Sequence, residues 1–107
     1  MRILVVCGAG ASSTFVAQRL RRAAARAGLD HDAAAVSRSA LPQRLGEAQL
    51  VLIGPHLTDA VDGIRTDAAA YDVPVIVLPD DVFSDRDGAR TLRLVTDAVS
   101  SPDGRSA

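Results

Sequence analysis

The chain contains no lysine, and all twelve of its basic residues are arginine. The absence of lysine excludes enzymes that form a Schiff base on a lysine amine, and it excludes nucleotide-binding loops that place a lysine on phosphates. With a single cysteine the chain cannot form an internal disulfide, so nothing points to a disulfide-stabilised secreted protein. Two histidines and one cysteine, without a Cys-x-x-Cys spacing, argue against a zinc site. We expect neither a metal nor a cofactor.

Long apolar runs and an excess of positive charge are also missing. No segment approaches the ~20 apolar residues of a membrane-spanning helix. After Arg2 the chain has only a short apolar strand, without the apolar stretch of a signal peptide. The formal net charge of -1 gives no support for nucleic-acid binding, which usually needs a basic surface. We therefore expect a cytoplasmic protein that neither inserts into the membrane nor binds nucleic acid.

The apolar residues that are present form three runs of strand length, Ile3–Val6, Leu50–Ile53 and Val75–Leu78. Continuous apolar runs of this kind are typical of parallel strands that are buried on both faces. The segment 30–37 is more polar and fits a strand at the edge of a sheet. At 107 residues the chain is long enough for one such sheet with covering helices. We predict one domain over residues 1–99 and a disordered polar tail over 100–107.

Segments with helical spacing separate these strands. Apolar residues recur with that spacing at Val16, Leu20, Ala23 and Ala27, at Leu57, Val61, Ile64, Ala68 and Tyr71, and at Leu92, Val95 and Val99. We expect the first helix to run from Phe15 to a C-cap at Gly28, and a short second helix to cover 41–47 with Pro42 in its first turn. Asp87 is the N-cap candidate of the last helix.

The predicted order of elements is therefore β-α-β-α-β-α-β-α. Because crossovers between parallel strands are right-handed, this order predicts an α/β fold with a single doubly wound four-stranded parallel sheet. The expected strand order is 2-1-3-4, as in flavodoxin-like folds. Ligands of such sheets bind beyond the carboxyl ends of the strands, beside the first strand. Cys7 directly follows that strand.

The sequence around Cys7 is suited to holding phosphate. Cys7 is followed by Gly8, Ala9, Gly10, Ala11, Ser12, Ser13 and Thr14. The free N–H groups and the dipole at a helix N-terminus favour both a thiolate and a bound phosphoryl group. Such positions lower the pKa of cysteine from about 8.5 to between roughly 3.5 and 7.5. Although most lone cysteines are structural, we predict that Cys7 is a nucleophile and that residues 8–14 are a phosphate-binding loop.

A tyrosine-phosphatase site uses the same elements together with an arginine six residues after the cysteine, whose guanidinium holds the phosphoryl oxygens. Ser13 occupies that position here. A phosphatase also needs a carboxylic acid beside the thiolate. Asp80 and Asp81 are candidates, although a solvated turn is the simpler interpretation. The missing arginine favours a cysteine that passes phosphate on over one that releases it to water.

The loop from Cys7 to Thr14 resembles the active loop of the IIB subunits of the bacterial sugar phosphotransferase system, in the lactose/cellobiose/chitobiose class. The similarity continues at 51–55, Val-Leu-Ile-Gly-Pro, which is similar to that family's Leu-Leu-Gly-Pro segment. It extends through 74–77 and through Asp-Gly at 87–88, and it reaches about Val99.

This resemblance implies a flavodoxin-like domain, similar also to low-molecular-weight tyrosine phosphatases, that carries phosphate as phosphocysteine. A phosphohistidine on a IIA partner donates to Cys7, and Cys7 donates to a sugar bound in a membrane-embedded IIC partner. Ser12, Ser13 and Thr14 then add donors to the phosphoryl oxygens.

The sequence departs from the family pattern in two places. His56 stands where the family often has glutamine, and Phe-Ser at 83–84 replaces a frequent Tyr-Gly. His56 is either a rim residue of the site or a polar residue at the start of the third helix. Two other functions stay open: a low-molecular-weight phosphatase-like hydrolase, and a regulatory domain that senses phosphorylation. We interpret the arginines of the first helix at 19, 22 and 26 as a solvated face.

Overall fold

The computed structural model describes residues 1–6, 10–55, 57–79, 81–82 and 88–100. The strands are β1 (Arg2–Val6), β2 (Asp32–Ala35), β3 (Leu50–Ile53) and β4 (Val75–Val77). The helices are α1 (Gly10–Arg26), α2 (Leu41–Arg44), α3 (Val61–Ala69) and α4 (Ala89–Ser100). Two single turns of 3-10 helix, Leu45–Glu47 and Thr58–Ala60, extend α2 and precede α3. The short second helix expected over 41–47 is therefore confirmed, with its last turn tightened.

The four strands form one parallel sheet in the order β2-β1-β3-β4. This order and the flavodoxin-like α/β architecture confirm the prediction from sequence. The apolar residues of β1 and all of β3 are completely buried, because these strands occupy the middle of the sheet. We expected the same burial for β4, but its residues are only half-buried. The reason is that β4 lies at an edge and lacks a neighbour on one side.

The two faces of the sheet are covered by different helices. Leu4 and Val6 pack in the cluster that includes residues of α2 and α3. Ile3 and Val5 pack in the opposite cluster, which includes residues of α1 and α4. Successive side chains of a strand point to opposite faces, so a strand covered on both sides must be apolar throughout. Each such buried side chain stabilises the fold by about 1.5–3 kcal/mol.

Helix α1 ends as the sequence predicts but begins earlier. Gly28 has a φ of 73°, and it donates its N–H to the carbonyl of Ala25 at 3.1 Å while Leu29 donates to Ala24 at 2.8 Å. These bonds satisfy the last free carbonyls of the helix. The first helical residue is Gly10 rather than Phe15. Ala27, the last residue of the apolar spacing, lies beyond the last turn of the helix and is exposed.

Helix α3 is shorter than its apolar pattern suggests. It begins at Val61 rather than Leu57 and ends at Ala69. Tyr71, the last residue of the pattern, is 53% exposed and lies outside the helix. The chain turns sharply just after it, at Asp72, whose φ is 57°.

Helix α4 begins at Ala89, and its residue Val95 is completely buried as expected. Asp87, proposed as its N-cap, lies outside the described residues. Of the proposed tail over 100–107 only Ser100 is described, and it is the last residue of α4. The division into a domain over 1–99 and a disordered tail therefore stays a prediction.

Replacing Gly63 in α3 by alanine is expected to stabilise the protein. A Cβ atom built at Gly63 has no heavy atom within 4 Å, so the methyl group meets no obstacle. Glycine inside a helix is less stable than alanine by roughly 0.5–1 kcal/mol. We expect Gly63→Ala to raise the free energy of unfolding by about that amount in urea denaturation. A lower free energy of unfolding would show that this position is not open.

Candidate functional site

The carboxyl ends of the strands meet at one edge of the sheet, and backbone hydrogen bonds continue to that edge. Val36 donates to the carbonyl of Val5 at 2.9 Å, and Gly54 donates to the carbonyl of Val6 at 2.7 Å. The chain therefore leaves β1 between β2 and β3, where the strand order reverses. In sequence, Cys7 is the next residue after β1. Cys7 itself lies outside the described residues.

Helix α1 begins at this same edge, at Gly10, three residues after Cys7 in sequence. The first N–H groups of a helix have no carbonyl four residues earlier to bond. The backbone N–H groups of Gly10, Ala11 and Ser12 belong to this free first turn. With the positive end of the helix dipole, they form a region that favours an anion.

Most of the expected phosphate-binding loop over 8–14 belongs to a helix. Residues 10–14 are helical, while Gly8 and Ala9 lie outside the described residues. The segment 10–14 contains only glycine, alanine, serine and threonine, so it shows no apolar periodicity. The apolar pattern from which we predicted the helix begins only after it. Ser13, at the position of the phosphatase arginine, is the fourth residue of α1.

One of the two carboxylates expected after the fourth strand, Asp81, is held by a partner. Asp81 forms an ion pair with Arg90 in the first turn of α4, and both side chains are about half exposed. This contact agrees with the interpretation of a solvated turn. Asp80, like His56, lies outside the described residues.

Helix α1 also carries an exposed aromatic side chain, that of Phe15, the residue at which we expected the helix to begin. Phe15 is 55% exposed, and the guanidinium carbon of Arg19 lies 5.9 Å from the centre of its ring. A cation over an aromatic face at this distance is weakly attractive. Arg22 and Arg26 are exposed, as expected for a solvated face, whereas Arg19 is half-buried.

A cleft that was not predicted from the sequence opens between α2 and α3. Its volume is about 220 Å³, and it is lined by Arg38, Leu41, Pro42, Ala60, Gly63, Ile64 and Asp67. Both helices begin at the carboxyl edge of the sheet, because each follows a parallel strand. The end of the cleft at Arg38 and the start of α2 therefore lies toward the carboxyl edge, on the face of the sheet opposite to α1.

The described residues show no other constellation with obvious chemistry. Within the described ranges, no three histidine, cysteine, aspartate or glutamate side chains come together as a metal site would require. None of the helices in these ranges has the length and apolar character needed to cross a bilayer. A hydrogen bond from Arg44 to Glu47, 2.6 Å from Nε to Oε1, lowers the pKa of Glu47. This pair lies at the end of α2, away from the site.

Comparison with known proteins gives a family match and structural neighbours. The family model described as "PTS system, Lactose/Cellobiose specific IIB subunit" matches residues 2–93. A comparison with curated proteins finds no match. One solved structure, the lactose-specific IIB component domain from Streptococcus pneumoniae, has 15% sequence identity and a TM-score of 0.82. That alignment covers 91% of this chain and 95% of the other.

A second solved structure, the cellobiose-specific phosphotransferase IIB component from Borrelia burgdorferi, is 22% identical with a TM-score of 0.72. The alignment covers 92% of this chain and 90% of the other. Likeness at these identities shows that the three chains share a fold.

Proposed function

The chain belongs to the lactose/cellobiose-specific IIB subunit family of the sugar phosphotransferase system, and from this premise we propose that it carries phosphate on Cys7. The family implies the general role of a phosphoryl carrier in sugar transport. In the proposed relay, the Cys7 thiolate attacks the phosphorus of a phosphohistidine on a IIA protein and the histidine nitrogen leaves. A sugar hydroxyl held by the membrane-embedded IIC protein then attacks the phosphocysteine, and the thiolate is regenerated. The proposed location is the cytoplasm, and no cofactor takes part.

The observation that supports this proposal best is the start of α1 at the carboxyl edge, three residues after Cys7 in sequence. Free N–H groups and the helix dipole favour negative charge there, whether it is on a thiolate or on a phosphoryl group. We expect the same environment to favour the thiolate before transfer and to hold the phosphate after it. We assign residues 8–14 to phosphate binding and His56 to the rim of the site.

A phosphatase is the main alternative, and hydrolysis distinguishes it from a carrier. Ser13 provides no guanidinium for the transferring group, and Asp81 is paired with Arg90. We therefore expect negligible release of p-nitrophenol from p-nitrophenyl phosphate, at the background rate of a Cys7→Ser control. Repeated turnovers at about 1 per second or more, an ordinary enzymatic rate, would contradict the carrier function.

Reconstitution tests the complete relay. Phosphorylated IIA protein, this chain and membrane vesicles containing IIC are mixed with sugar, and sugar phosphate is measured. We expect the product only when this chain is present. A purely regulatory domain would accept phosphate from IIA and yield no sugar phosphate.

A further inference from the structure

The cleft between α2 and α3 includes Arg38, which follows a strand at the carboxyl edge of the sheet. Arg38 comes three residues after the end of β2. The last hydrogen bond between β2 and β1 joins Val36 to Val5. In sequence, Arg38 is two residues after Val36, and Cys7 is two residues after Val5. The backbone therefore brings Arg38 to the same part of the carboxyl edge at which β1 ends.

The lining of the cleft has the character of a protein interface. Its floor is apolar and buried, with Leu41, Ala60 and Ile64 at most 6% exposed. Its rim carries the exposed charged side chains of Arg38 and Asp67. No carboxylate among the described residues forms an ion pair with Arg38. An apolar centre with a polar rim is the usual arrangement at contacts between proteins.

The size of the cleft indicates what it holds. Pockets for small molecules usually measure about 300–1,000 Å³, whereas this cleft measures about 220 Å³. It therefore fits a projecting side chain of a partner protein better than a sugar or a nucleotide.

We propose that this cleft docks the IIA phosphohistidine protein and that Arg38 attracts the phosphorylated face of that donor. This inference rests on the proposed function of Cys7 as acceptor. The donor carries a dianionic phosphoryl group before transfer, so a cation at the rim raises the rate of encounter. After transfer the negative charge lies on this chain, near Arg38, and the attraction for the spent donor falls.

Charge also distinguishes between the two partners. Cytoplasmic loops of membrane proteins carry an excess of lysine and arginine. Asp67, the acidic residue of the rim, lies about 9 Å along α3 from the helix start, so Arg38 is the charge at the end of the cleft toward the carboxyl edge. At that end the cleft therefore repels the cytoplasmic face of IIC and attracts phosphorylated IIA. The charge complementarity assigns the cleft to the donor.

Rapid-quench transfer of label from phosphorylated IIA tests the role of Arg38. We expect Arg38→Glu to lower the second-order rate constant at least about tenfold at low salt, with a smaller difference at high salt. The transfer rate at saturating donor should not change, because Arg38 acts on the encounter. Arg22→Glu is the matched control, since it makes the same charge change on α1 about 18 Å from the helix start. It should react like wild type.

A second variant tests the cleft itself. The open space beside Gly63 accommodates a larger side chain, and leucine is a good helix former. Gly63→Leu should therefore keep the thermal stability, fill the cleft and lower the transfer rate at every salt concentration.

The possible outcomes separate the two proposals. Wild-type kinetics in both cleft variants would overturn the docking site and leave the function of Cys7 intact. A defect confined to sugar phosphorylation with IIC vesicles would assign the cleft to the membrane partner and also overturn the inference. If the wild-type chain accepts no label, the proposed function fails and the docking site fails with it.

Discussion

Replacing Cys7 by serine is expected to abolish phosphate acceptance and leave the fold intact. The two side chains are similar in size, but the serine hydroxyl ionises far less readily than a thiol, and we assign no general base to it. We expect label transfer from phosphorylated IIA to fall by at least the order of 10³-fold, as is usual when a nucleophile is removed. Rapid-quench kinetics measure the loss, and circular dichroism during heating checks the fold.

Ser13→Ala is the matched control for this variant. It leaves the proposed nucleophile in place and removes one proposed phosphate donor, so it should still accept phosphate on Cys7, only more slowly than wild type. Labelling of the Cys7→Ser protein at the wild-type rate would show that another residue is the nucleophile.

Replacing Gly88 by alanine is expected to cause a large loss of stability. Gly88 has a φ of 74°, and a Cβ atom there would collide with the backbone carbonyl oxygen of Arg19 in α1. An L-residue in this conformation costs about 1–2 kcal/mol, and forcing an extra carbon into a packed contact costs roughly 1–3 kcal/mol more. We expect Gly88→Ala to lower the free energy of unfolding by about 3 kcal/mol or more, measured by urea denaturation.

Gly28 offers a control for the conformational part of this effect. Its φ of 73° is nearly the same, but a Cβ atom there has no heavy atom within 4 Å. Gly28→Ala should therefore cost only the conformational term, about 1–2 kcal/mol. Equal losses in the two variants would show that the contact between Gly88 and α1 is not close.

The sheet could be predicted from the sequence because its central strands carry a strong signal. A strand covered by helices on both faces must be apolar at every position, and Leu50–Ile53 shows this pattern with the bounds that the structure gives. The order of elements and the right-handed crossover then determine the strand order. The end of α1 was predictable for a similar reason, since Gly28 favours the left-handed conformation that ends the helix.

Features that depend on tertiary context could not be predicted in the same way. The apolar run Val75–Leu78 predicts the strand β4, but it does not show that β4 has a neighbour on only one side. Tyr71 continues a helical spacing, yet the helix has already ended before it. The start of α1 at Gly10 was not predicted, because the first residues of this helix are small or polar and show no apolar repeat.

The candidate site was predictable as far as topology determines it. Cys7 directly follows the first strand of a doubly wound sheet, and ligands of such sheets bind at the carboxyl ends of the strands. The sequence alone therefore predicts a site at the carboxyl edge. The cleft was not predictable, because Arg38 and Ile64 are far apart in sequence and approach each other only when α2 and α3 pack on one face.

The most direct test of the central claim is identification of the phosphorylated residue. The chain is incubated with phosphorylated IIA protein, digested under conditions that preserve the phosphorus–sulfur bond, and analysed by tandem mass spectrometry. We predict a single phosphoryl group on the peptide that contains Cys7, located on the sulfur. A phosphoryl group on a serine, threonine or histidine, with Cys7 unmodified, would contradict the account.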